Sequence, residues 1–292
     1  MGEFIQAGVE GVHGTAALFI FSVLFFGIMT DAGMFDKIIG KLMKKVGSNV
    51  IGVAVMTCLI AMIAHLDGAG AATFLITVPA MLPVYKKLGM RPTTLMLICV
   101  SAMGVMNLLP WGGPTMRAAT VLGIEPNKLW LQILPMQIVG IIIALATAFI
   151  WGTIEKRRGA GTEEVMAKAA LEIQEEEKET GVNESDLARP QNFIFNLILT
   201  LLFDTDSFFF GLMPILISIA GEFGVEAAHI AIVMVVCRNC ATFISPVVPA
   251  TFLGIGLAGV EIKDHIKRCF FWIWGVSIIC LISGLILGVI KL

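Results

Sequence analysis

An acid and two glycines stand in the middle of apolar sequence: Asp67, Gly68 and Gly70, between the nearly uninterrupted hydrocarbon of residues 50–64 and 74–84. At membrane depth an ionised carboxylate costs at least ~2.5 kcal/mol, so an acid kept there needs a task. Asp204 and Asp206, followed by Ser207, place two more acids in a second apolar stretch. Burial favours the protonated form of a carboxylate, and Asp67, Asp204, Asp206 and Ser207 are therefore the candidates for proton or cation coupling. Arg117 and Arg238 are the basic residues inside apolar segments. A guanidinium offers a planar fork of donors that fits a carboxylate, which makes Arg117 a candidate for binding an acidic substrate. Arg238 is assigned to a structural charge pair with Asp204 or Asp206. Asn107, Gly112, Gly113 and Thr115 surround one proline- and glycine-rich interruption, and Ser245 and Thr251 flank another. Side-chain oxygens and freed backbone carbonyls at such breaks can line a substrate site. Plainer roles compete throughout. The aspartates can cap helix tips, the Asn, Ser and Thr side chains can cap half-helices, Arg117 can pair with Asp67 or Asp204, and His65 can relay a proton or merely be hydrogen-bonded.

The elements that hold these residues are membrane helices. Hydrophobic residues make up 57% of 292 and charged residues only 14%, with a mean hydropathy of +0.90, so the expected fold is all-α and polytopic in a lipid bilayer. The net charge of −2 offers no basic field for nucleic acid. Ten of the 22 acids fall between Glu155 and Asp186, and the charged segment over residues 156–190 reads as solvated connector. All six cysteines lie in or beside apolar segments, against a secreted disulfide framework. Cys237 and Cys240 would be neighbours on one helix, but no second pair completes a four-ligand metal site. Residues 1–14 lack the basic start and cleavage site of a signal peptide.

In chain order, residues 15–30 form a membrane helix and residues 36–47 a surface helix with one cationic face. Residues 49–66 and 71–85 form a re-entrant hairpin with Asp67 at its tip, because lysines at both ends suggest that both are cytoplasmic. Residues 93–122 cannot be one intact helix, since two prolines and two glycines interrupt them. An external turn at 125–128 precedes a return helix over 130–151. The second half contains apolar segments over 192–223, 226–258 with a break at 245–249, and 264–292. Sixteen of the twenty Lys and Arg fall on the side assigned to the cytoplasm.

The halves are related. Pro79 and Pro214, Gly89 and Gly224, Pro114 and Pro249, and Gly140 and Gly275 are each 135 residues apart, and Gly123 and Gly259 are 136 apart. One unit is used twice, and the limb after each tip runs to opposite sides, so the repeats are inverted. Residues 1–155 form the first membrane repeat, 156–190 a charged cytoplasmic connector, and 191–292 a second, incomplete repeat. Inverted repeats with paired broken helices point to alternating access around a midplane site.

Residues 65–83 (HLDGAGAATFLITVPAMLP), 109–117 (LPWGGPTMR) and 243–251 (FISPVVPAT) closely resemble the citrate–metal–proton symporters of the ion-transporter superfamily. The resemblance implies a multi-pass carrier of the bacterial inner membrane that takes up citrate, or another di- or tricarboxylate, complexed with Mg²⁺ or Ca²⁺ and driven by protons. The divalent cation would travel with the substrate, with no cofactor and no protein-only metal site; a homo-oligomer is compatible with it. Members of that family are longer, and the junction at 201–204 joins the second tip abruptly to an earlier helix. Two other readings follow: a non-transporting remnant, or an intramembrane aspartyl protease using Asp67 and Asp204. Proteases of that kind carry glycine before the acid, whereas Gly68 and Gly70 follow Asp67.

Overall fold

A computed structural model describes Phe21, Phe25, Ile28 and residues 49–167, 206–222, 224–244 and 248–290. Apart from Phe21, Phe25 and Ile28, the expected helices over 15–30 and 36–47, together with most of the connector, Asp204 and Ser245, lie outside the described residues. Every regular element among the described residues is a helix.

Helix α1 (Val50–Ala64) starts where Asn49 Oδ1 accepts hydrogen bonds from the amides of Ile51 and Gly52. A single 3₁₀ turn, His65–Asp67, ends it, and Gly68 at φ 72° reverses the chain, a left-handed conformation that a side chain would strain. Helix α2 (Gly70–Lys87) returns alongside α1, held by a 3.1 Å hydrogen bond between Thr57 Oγ1 and Tyr85 OH. Both ends of this pair lie at one end of the molecule. Gly152, near the end of α5 (Pro126–Arg157), abuts Ile51 at the start of α1, and Arg158 Nη2 donates to the carbonyl of Gly89 just past α2. A helical hairpin with Asp67 at its turn is thus present. Pro79 and Pro83 lie one turn apart on the outward face of α2.

Helix α3 (Pro92–Met106) is buried over most of its length and packs against α1, α2 and α5. The chain then breaks as expected, and α4 (Gly113–Leu122) follows. At 32 residues, α5 spans about 48 Å, more than the ~30 Å of membrane hydrocarbon. Beyond residue 205, a widened turn of π-helix (Ser207–Leu212) leads into α6 (Met213–Glu222). Helix α7 (Ala227–Ala241) ends in a 3₁₀ turn (Thr242–Ile244) before α8 (Pro249–Ala258) and α9 (Ile262–Ile286).

Four of these stretches are long and apolar enough to cross a membrane: Val50–Asp67, Pro126–Arg157, Ala227–Ala258 and Ile262–Ile286. Helices α5 and α9 also turn large apolar side chains outward, including Ile138, Ile142, Phe149, Phe271 and Trp274. Such faces suit lipid and not water, and the chain is a polytopic membrane protein.

Matching elements recur at the offset seen in the sequence. Helices α3 and α7 each have 15 residues and begin 135 apart, at Pro92 and Ala227. Helices α4 and α8 each have ten residues and begin 136 apart, at Gly113 and Pro249. Helix α9 begins 136 residues after α5, at Ile262 against Pro126. The two run antiparallel: Trp272 Nε1 donates to Thr147 Oγ1 at 2.9 Å, while Gly284 meets Met136.

The Glu155 side chain is fully buried. Arg91 Nε donates to Glu155 Oε1 at 2.6 Å, as does Thr94 Oγ1, and Arg158 Nη2 donates to Oε2 at 2.9 Å. These partners surround its carboxyl and fasten the start of α3 to the end of α5. The beginning of the connector is docked as well, since the Gly161 amide donates to the Leu88 carbonyl at 2.8 Å.

Candidate functional site

Three breaks in the helices meet. At the first, Asp67 Oδ1 accepts from the Ala69 amide at 2.8 Å, which fixes the turn and spends one carboxylate oxygen as a cap. Gly70 opens α2 at a close approach: a Cβ there would lie 2.4 Å from Cε1 of Phe243 and 3.3 Å from Cβ of Ala250. Phe243 belongs to the third break and Ala250 to the first turn of α8. The Phe243 ring stands edge-on to His65 and Phe74, with centroids 5.5 and 6.0 Å away.

The second break closes on the first from another side. Trp111 Nε1 donates to the Leu66 carbonyl at 2.7 Å, so a side chain of one break satisfies a backbone group freed at the other. His65 links three segments, its Nδ1 lying 2.7 Å from Thr73 Oγ1 and its Nε2 3.1 Å from Asn107 Oδ1. Asn107 is thereby committed to His65, and His65 is buried and bonded through both ring nitrogens. Thr115 Oγ1 donates to the Leu108 carbonyl at 3.2 Å, as a cap would. Gly112 has no room for a side chain, since a Cβ would lie 2.1 Å from the Asn107 carbonyl oxygen. Thr251 is different. It is fully buried in α8, and its hydroxyl has no hydrogen-bond partner among the described residues.

The charged candidates form a second group. Arg117 Nε donates to Asp206 Oδ1 at 2.5 Å, with the side chains 30% and 57% exposed. Arg117 therefore has an acidic partner, Asp206, and not the Asp67 or Asp204 of the alternative ion-pair reading. A Cβ on Gly113 would lie 2.8 Å from Arg117 Nη1. Arg238 sits with its guanidinium carbon 5.7 Å from the centre of the Phe208 ring; of its two expected partners, Asp206 pairs with Arg117 and Asp204 lies outside the described residues, as does the Ser207 side chain. Among the described residues, no three of His, Cys, Asp and Glu cluster closely enough to hold a metal ion.

The sequence did not single out Trp111 or Phe243. Both stand inside the break motifs, and an aromatic residue flanked by glycines and prolines is the signal that could have found them.

Half-helices that start at converging breaks, beneath outward apolar faces, define a membrane transporter of the broken-helix kind. Residues 3–291 match the citrate transporter family, and the chain belongs to it. Over its whole length it is 27% identical to a "Citrate transporter" and 27% identical to a "Mg(2+)/citrate complex secondary transporter", both of Bacillus subtilis, covering 89% of each. A third protein of that organism, the "Uncharacterized transporter YraO", is 34% identical over 69% of this chain and 46% of its own length. No solved structure matches. The family and these relatives are transporters, not enzymes, and the protease reading falls. The first alignment extends over 382 positions and holds all 292 residues of this chain, so at least 90 positions (382 less 292) stand opposite gaps in it.

Proposed function

We propose that this protein carries citrate complexed with a divalent cation, Mg²⁺ or Ca²⁺, across a bacterial cell membrane together with protons, by alternating access between two inverted halves. The observation that carries the reading is the convergence of three breaks, with α2, α4 and α8 beginning at them. Helix N-termini carry partial positive charge and unsatisfied amides, which favour an anionic substrate. Asp67 beside them supplies the negative charge that a citrate-bound cation needs, and the unpartnered Thr251 hydroxyl supplies a polar contact. Arg117, released from Asp206, would fit a carboxylate of the substrate, and Asp206, with Asp204, would then be free to take a proton. Antiparallel α5 and α9, starting 136 residues apart, support the inversion. The name of the second relative supports the metal complex.

Proteoliposomes test the reading. Citrate should accumulate only with Mg²⁺ or Ca²⁺ and with an inward proton gradient, and Asp67→Asn should abolish uptake while the protein still folds. Uptake that persists in Asp67→Asn would remove the first break from the site. The internal gaps against the relatives favour a second reading, a remnant that does not transport. Binding of the citrate–Mg²⁺ complex by calorimetry without any uptake would support it.

A further inference from the structure

A cavity of about 550 Å³ opens between the start of α3, the end of α5 and the start of α9, lined among the described residues by Thr93, Trp151, Asp264, Lys267 and Arg268. It belongs to neither group of site residues. Its volume falls within the roughly 300–1,000 Å³ of small-molecule sites. Thr93 Oγ1 and Trp151 Nε1 are buried and have no hydrogen-bond partner among the described residues. Buried donors of that kind are costly unless something accepts from them.

The charge is positive. The Arg268 guanidinium lies over the Trp151 ring, 4.8 Å from its centre, and among the described residues no carboxylate pairs with Lys267 or Arg268. Asp264 offsets one of the two. Glu155, bonded to Thr94 next to Thr93, is already held between Arg91 and Arg158. Two walls that hold unpaired donors and a net positive charge describe a receptor for a phosphate group.

The surroundings choose the source of that phosphate. Along α9, Phe271, Trp274 and Ile278 follow Lys267 at helical spacing on the same face, and they are 78%, 55% and 38% exposed. A free phosphate has no use for such a track, whereas acyl chains do. Basic pockets between membrane helices on the cytoplasmic side suit anionic headgroups, and a choline headgroup would bring its own cation against Lys267 and Arg268.

We propose that this cavity binds the phosphate headgroup of an anionic phospholipid, with its acyl chains lying along the Phe271, Trp274 and Ile278 face of α9. The proposal does not depend on what the protein transports. It is tested on the full chain purified in detergent, by thermal unfolding with added phosphatidylglycerol, with phosphatidylcholine, or with sodium phosphate alone. Phosphatidylglycerol at about 100 times its Kd should raise the midpoint on the order of 5 °C, and the other two should not. Lys267→Gln, at an exposed position without an ion pair, should fold and lose more than half of that rise. Thr93→Val should reduce it too, and native mass spectrometry should find one fewer phosphatidylglycerol retained on Lys267→Gln. An equal rise in wild type and Lys267→Gln, or an equal rise with phosphatidylcholine, would overturn the proposal. A rise with sodium phosphate alone would also overturn it, in favour of a free-anion site.

Discussion

Gly70→Ala isolates the contact between the first and third breaks. The added methyl would stand 2.4 Å from Phe243 Cε1 and 3.0 Å from Cζ, where carbon atoms normally rest about 3.5–4.0 Å apart. More than an ångström of separation must be found. Phe243 is 4% exposed and braced by His65 and Phe74, so the ring cannot swing aside and the breaks themselves must part. Overpacking of this kind costs about 1–3 kcal/mol, offset by at most ~1 kcal/mol from the better helix propensity of alanine. A net loss of about 1–2 kcal/mol is expected. It would lower the unfolding midpoint by roughly 2–4 °C per kcal/mol, toward the smaller figure in a chain of this length. Phe243→Leu removes the ring edge at its own cost, but it also makes room for the methyl. The double variant should therefore be more stable than the sum of the singles by about 1 kcal/mol or more, measured as a double-mutant cycle by thermal unfolding in detergent. Additivity within ~0.5 kcal/mol, or a Gly70→Ala protein as stable as wild type, would show that the breaks do not press on each other.

Glu155→Gln keeps the shape of the side chain but leaves Arg91 and Arg158 without a counter-charge. Both arginines are partly exposed, 29% and 44%, so the loss should fall near the low end for a broken buried pair, about 3 kcal/mol, read by chemical denaturation. Arg117→Lys, which exchanges the fork for a point charge, should weaken citrate–Mg²⁺ binding in calorimetry, and unchanged binding in Arg117→Ala would remove Arg117 from the site. Single cysteines at positions 87 and 128, on a background without the native cysteines, should label from opposite sides of sealed vesicles; labelling from one side would refute the topology.

Where the helices break was legible because glycine and proline act locally. Gly68 is needed for its positive φ, and the prolines at 110, 114 and 249 mark stops and starts that the structure keeps. Which break meets which was not legible. The Phe243 approach to Gly70 and the Trp111 bond to Leu66 join residues 173 and 45 positions apart, and hydrophobic periodicity carries no information about such pairings. The burial of Glu155 was not legible for a related reason. Its neighbours in sequence, Lys156, Arg157 and Arg158, suggest solvent, while the groups that bury it, Arg91 and Thr94, come from another helix. Arg117 was recognised as a charge that needs a reason, but its partner, Asp206, is 89 positions away.

The two outward prolines of α2 have a mechanical consequence. Pro79 and Pro83 lack the amides that would have bonded to the carbonyls one turn earlier, at Leu75 and Pro79, and both face away from the core while Val78, Met81 and Tyr85 grip it. Two successive rungs are therefore missing from one side of the helix only. The limb is stiff where it is clamped and compliant on its outer side, so it bends about one axis in preference to others. Its tip, with Asp67 and Gly70, is the end of that lever.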